Sequence, residues 1–148
     1  MFKVEYQTSL ELTKEDMKSL FCAIGQGSGY WAEVVTFGNV KTDEEGYYEG
    51  EYEWEGCAAW ANDFSLDDPI TGFDREDEEK IKLTIKDLLT AINKISSNKT
   101  SIHWDYASQI ASCFKPKEED EEIDMSLIDA ALADMIFQVA CYEDTIYS

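Results

Sequence analysis

Hydrophobic positions follow two rhythms along this chain, one of period two and one near 3.6. Residues 2–12 (FKVEYQTSLEL) place Phe2, Val4 and Tyr6 on one face, which predicts a half-buried strand. Thr13 then stands three residues before Asp16, a pattern that caps a helix and sets a carboxylate against its N-terminal dipole. Met17, Leu20, Phe21 and Ile24 follow at helical spacing, and Gly25 reads as the stop. A second unit repeats the plan. Residues 80–83 form a short strand, Thr84 and Asp87 repeat the cap, and Leu88, Leu89, Ile92 and Ile95 make the helical face.

Between these units lies the most regular strand signal. In residues 48–55 (YEGEYEWE) the odd positions Glu49, Glu51, Glu53 and Glu55 alternate with Tyr48, Gly50, Tyr52 and Trp54. A continuous strand would hold the four carboxylates on one face, about 6.8 Å apart, with the aromatic set anchoring the reverse face to the core. Residues 30–37 (YWAEVVTF) predict a preceding strand, closed by Gly38-Asn39. Two helices finish the chain, one over 102–114 and a largely buried one over about 126–141. The expected architecture is α+β, an antiparallel sheet with helices packed on one face. It forms one domain over 1–148, with an acidic linker near 115–125 before the C-terminal helix.

Charge changes this picture from a fold to a kind of partner. The 148 residues carry 12 Lys+Arg against 32 Asp+Glu, a net charge of −20. Such a surface repels phosphate, so direct binding of nucleic acid or of anionic lipid is not expected. The carboxylates are clustered: seven in 43–55, eight in 63–80 and six in 118–124, together 21 of the 32. No apolar stretch has the length of a leader or a membrane span, and Cys22, Cys57, Cys113 and Cys141 form no C-x-x-C. Buried free thiols in a reducing cytosol are the expectation.

Candidate chemistry is sparse. Gly25-Gln26-Gly27-Ser28-Gly29 has the look of a phosphate-cradling loop, but it follows a helix and leads into a strand, the reverse of the required order. It reads as a flexible turn feeding Tyr30 and Trp31. Asp63, Asp67, Asp68, Asp74, Glu76 and Asp77 lack calcium-loop spacing, so no metal and no cofactor are expected. His103 has no catalytic signature around it, and no enzymatic activity is expected. What the carboxylates offer instead is phosphate mimicry. Asp43, Glu44, Glu45, Glu49, Glu51, Glu53 and Glu55, together with Asp74, Glu76 and Asp77, are the candidate contact residues. A row of fixed negative charge resembles a nucleic-acid backbone, with its phosphate every ~3.4 Å of rise per strand.

Two stretches carry a resemblance. Leu12-Thr13-x-x-Asp16 followed by Gly27-Ser28-Gly29-Tyr30-Trp31, and Asp129-Ala130-Ala131-Leu132-Ala133-Asp134-Met135-Ile136-Phe137-Gln138-Val139-Ala140, resemble signatures of an uncharacterised family of small acidic proteins. That family is carried by phages and prophages of low-GC Gram-positive bacteria. Residues 82–89 fit its strand-to-helix segment, whereas the acidic run 43–55 and the ending 143–148 depart from it. The resemblance implies a phage protein acting in the host cytosol. By analogy of class it implies an anti-defence role of the anti-CRISPR kind.

The expected function is therefore an interaction protein that blocks a basic nucleic-acid-binding machine of the host, a CRISPR effector being the example. The alternative is a small-molecule module that sequesters a nucleotide in a pocket walled by Tyr30, Trp31, Trp54 and Trp60.

Overall fold

The computed structural model describes residues 2–6, 8–44, 48–56, 58–76, 78–97, 99–114 and 124–143, with backbone alone for 2–6, 8–11 and 55. The expected first strand is two strands, β1 (Phe2–Tyr6) and β2 (Thr8–Leu12), paired antiparallel from Phe2↔Leu12 to Tyr6↔Thr8. A fold-back leaves the period-two alternation intact on both arms, so the pattern did not mark it.

Five strands build the main sheet: β3 (Ala32–Phe37), β6 (Tyr52–Glu55), β7 (Ala58–Ala61), β8 (Pro69–Asp74) and β9 (Lys80–Thr84), in the order β6-β7-β3-β8-β9. The class is α+β, but the sheet is mixed rather than antiparallel, because β3 runs parallel to β7. A small hairpin of β4 (Lys41–Thr42) and β5 (Tyr48–Glu49) lies within the crossover that makes this parallel pair possible. Two of these strands escaped the sequence reading. β7 is Ala-Ala-Trp-Ala, poor in β-branched residues, and in β8, Pro-Ile-Thr-Gly-Phe-Asp, a proline and a glycine interrupt the strand-forming ones. Pairing on both sides holds them extended all the same.

The helices are α1 (Lys14–Ser28), α2 (Ile85–Ser96), α3 (Trp104–Phe114) and α4 (Ala130–Tyr142). Both predicted caps form. Thr13 Oγ1 accepts from the Asp16 N–H at 3.1 Å while Asp16 Oδ2 accepts from the Thr13 N–H at 3.0 Å. At α2 the Thr84 N–H donates to Asp87 Oδ2 at 2.8 Å. Each reciprocal pair satisfies donors that a helix start leaves orphaned. The last helix begins later than predicted. Met125–Leu127 is a separate 3₁₀ turn, and the Asp129 carboxylate accepts from the Leu132 N–H at 2.8 Å to start α4. Lys115, Pro116 and the acidic run 118–122 lie outside the described residues.

The glycine stretch is corrected outright. Gly25 does not stop α1, which continues through Ser28. A Cβ on Gly27 would stand 2.0 Å from the Ala130 carbonyl oxygen, so α4 crosses α1 at backbone contact there. Glycine is needed for close approach and not for a turn.

Helices cover one face of the sheet. Phe21 of α1 stacks on Phe37 of β3, with ring centroids 4.3 Å apart, and Phe137 of α4 completes the group. One apolar cluster extends from Leu12 to Val139. On the opposite face the register lines up Trp54, Ala59, Thr36 and Thr71 across four strands. Thr36 and Thr71 share a hydroxyl hydrogen bond of 2.7 Å there.

Candidate functional site

The predicted acidic strand breaks in two. Gly50 takes φ +98°, a conformation that ends the extended run, so Glu49 belongs to the β4–β5 hairpin and Glu53 to the main sheet. Asp43, Glu44, Glu49, Glu51 and Glu53 are all exposed, but the chain divides them: Asp43 and Glu44 line a cavity with Thr71, Phe73 and Lys80 of β8 and β9, whereas Glu53 lines a cleft beside α1. Glu45 and Asp77, and the Glu55 side chain, lie outside the described residues. Glu76 is exposed at the far end of β8. Asp74 is 1% exposed and does not belong to the surface at all. Its carboxylate accepts from the Tyr142 hydroxyl, and from the Glu76 N–H at 2.8 Å. Those two donors offset the cost of taking the carboxylate out of water.

The facing of β6 is also reversed. Glu53 pairs with Trp60, which lies on the helix-covered face and approaches Phe21 at 6.5 Å. Trp54, expected to anchor that strand to the core, points to the open face and is 65% exposed. Trp31 and Trp60 are buried, so the aromatic wall imagined for a nucleotide pocket is not assembled. Glu53 is held: the Trp60 indole N–H donates to its Oε2 at 3.1 Å. Beside it, a cleft of about 330 Å³ separates α1 from the β6 edge, lined by Glu15, Ser19, Cys22, Gln26 and Glu53 and by Lys18. Lys18 itself sits 3.7 Å from Glu15.

A second polar centre was not foreseen as a unit. Asp134 on α4 is 7% exposed and takes four hydrogen bonds. Ser28 Oγ at 2.8 Å and the Trp31 indole at 2.7 Å donate to Oδ1. The Tyr30 hydroxyl at 2.7 Å and Gln138 Nε2 at 3.0 Å donate to Oδ2. This is the full accepting capacity of a carboxylate, and none of the four donors is a cation. Its five members fall within residues 27–31 and 129–140, so these two distant stretches meet in one tertiary contact at the α1–α4 crossing.

Neighbouring groups feel this negative site. Partial removal from water, then the hydrogen bond to Asp134, pushes the Tyr30 phenol up to about 12. Burial, reinforced by the charges of Asp74 and Asp134, pushes the Cys141 thiol up as well and keeps it protonated and unreactive. At the start of α3 the ring of His103 accepts the Asp105 N–H through Nδ1 at 3.2 Å, which is a capping task. Among the described residues, no three His, Cys, Asp or Glu side chains gather as a metal site would require. Nor, among them, is any helix long and apolar enough to cross a membrane. A saturated interior carboxylate and a set of exposed ones thus stand out, and the chain matches no protein-family model, no curated protein and no solved structure with which it was compared.

Proposed function

We propose that this protein is an interaction module that occupies the phosphate-binding surface of a basic nucleic-acid-binding protein, a phage-encoded inhibitor of a host defence nuclease being the class that the resemblance suggests. The observation that carries this reading is the exposure of Asp43, Glu44, Glu49, Glu51 and Glu53, five carboxylates within eleven consecutive residues, all turned to solvent. Lys41 is the sole base in residues 41–55. Like charges held close repel one another in the free protein, and lysines and arginines of a partner relieve that repulsion. Each contact at a partly desolvated interface contributes ~1–3 kcal/mol.

The test is competition. A basic nuclease complex captured from bacterial lysate at low salt is challenged with DNA, with the wild-type protein and with a variant carrying Gln at 49, 51, 53 and 55. The variant is expected to bind at least about tenfold more weakly, mainly through a slower on-rate, and to lose competition with DNA while keeping the fold. A variant that still binds and competes at full strength overturns the reading.

A further inference from the structure

Trp54 is the anomaly of β6. It projects from β6, the outermost strand of the sheet, and is 65% exposed. Its cross-strand partner is Ala59, whose methyl group leaves the indole standing clear. No strand pairs with the outer side of β6 among the described residues, so its backbone groups on that side remain a template for another chain. On the other face of the same edge, Glu53 is held by Trp60 and faces the cleft along α1.

We infer that the outer edge of β6 docks an extended, arginine-bearing segment of the partner. The inference rests on the proposed function and names the chemistry that Trp54 and Glu53 select on the two faces of this edge. An extended segment added to the edge alternates its side chains between the two faces, as β6 does. A side chain on the open face meets the Trp54 indole, and one on the helix face enters the cleft and meets Glu53. Arginine suits both positions. Its flat guanidinium stacks on an indole face, the best of the cation–π acceptors, and its fork of N–H donors matches a carboxylate. Lysine, a compact and strongly hydrated charge, satisfies the carboxylate but not the stacking. Glu53 is already oriented by the Trp60 N–H, which removes part of the ordering cost that binding would otherwise carry. The net charge of −20 supplies the complementarity that brings such a segment to the edge.

The probes are matched arginine–glycine and lysine–glycine peptides, titrated against the intact chain at moderate salt. The arginine peptide is expected to bind about tenfold more tightly than the lysine peptide, and amide exchange across residues 52–55 is expected to slow when it binds. Trp54→Ala, a change at an exposed position, should bring the two peptides to equal affinity without altering the fold. Equal affinity of both peptides for the wild type, or unchanged exchange at 52–55, overturns the inference while leaving the phosphate-mimicry reading standing. Binding of both peptides that is indifferent to the Gln variant overturns that reading as well.

Discussion

Two carboxylates on this molecule, Asp134 and Glu53, have the same chemistry and opposite circumstances. Asp134 sits at the α1–α4 crossing with four hydrogen-bond donors closed around it and no room for a fifth. Glu53 sits on an exposed edge, held by one indole N–H and open to solvent. The first ties two distant segments into one structure, because an interior carboxylate is tolerated only where its lone pairs are satisfied. The second leaves accepting capacity for something outside the chain. Whether an acidic residue builds the fold or offers itself to a partner is decided by how many of its lone pairs the chain itself fills.

That contrast can be broken at either end. The largest effect is expected from Asp134→Leu, which removes the acceptor shared by Ser28, Tyr30, Trp31 and Gln138. Loss of about 3–5 kcal/mol in denaturant unfolding is expected, a large share of the ~5–15 kcal/mol typical of a domain. Glu53→Leu, measured the same way, loses only the Trp60 hydrogen bond and should cost about 1 kcal/mol. A closely similar loss from both substitutions would erase the distinction.

Gly27→Ala tests the crossing rather than the carboxylate. The added methyl group meets the Ala130 carbonyl, so α4 must shift away from α1, at a cost of about 1–3 kcal/mol. If the crossing is what assembles the Asp134 site, the near-ultraviolet signal of Trp31 should change together with the melting temperature. An unaltered melting temperature would show that the helices are not in backbone contact.

Tyr30→Phe sharpens the comparison through pH. The phenol titrates near 10 in an unfolded chain and is pushed up to about 12 when folded, so the folded state holds this proton more tightly. The stability it contributes is fully present below pH 10 and is lost as pH rises from 10 through 12. Wild-type unfolding free energy should therefore decline more steeply across that window than that of Tyr30→Phe. Below it the variant should be weaker by about 1 kcal/mol for the lost hydrogen bond. Parallel alkaline profiles would refute the role given to the hydroxyl.

The smallest effect concerns the exposed carboxylates themselves. Exposed like charges at −20 oppose compaction, so added salt should raise the melting temperature by a few degrees, and the Gln variant at 49, 51, 53 and 55 should melt slightly higher at low salt and gain less from salt. A wild-type melting temperature that falls with added salt would contradict this.

Local signals were legible wherever a few neighbouring residues suffice. The capping boxes at Thr13 and Thr84 each involve residues three apart, and the apolar faces of α1 and α2 repeat within two turns. The strand over 32–37 carries its own β-branched and aromatic residues, and it forms where expected. By contrast, the alanines of β7 and the Pro, Gly and Asp of β8 are extended because neighbours pair with them, a fact their own composition does not contain. Gly50 likewise shows its meaning only when its positive φ splits an alternation that reads as one strand.

The candidate site divides the same way. The sequence by itself determined the amount of negative charge and its clustering in residues 43–55. Those are counts and spacings, and they need no coordinates. Only the tertiary structure decided that Asp74 is interior while Glu53 is surface, and that Trp54 faces solvent while Trp60 faces Phe21. It also decided that Asp134 gathers Ser28, Tyr30 and Trp31. Burial and hydrogen-bond partnership across so many residues depend on which backbones can approach, and here a glycine without a side chain lets one helix lie against another.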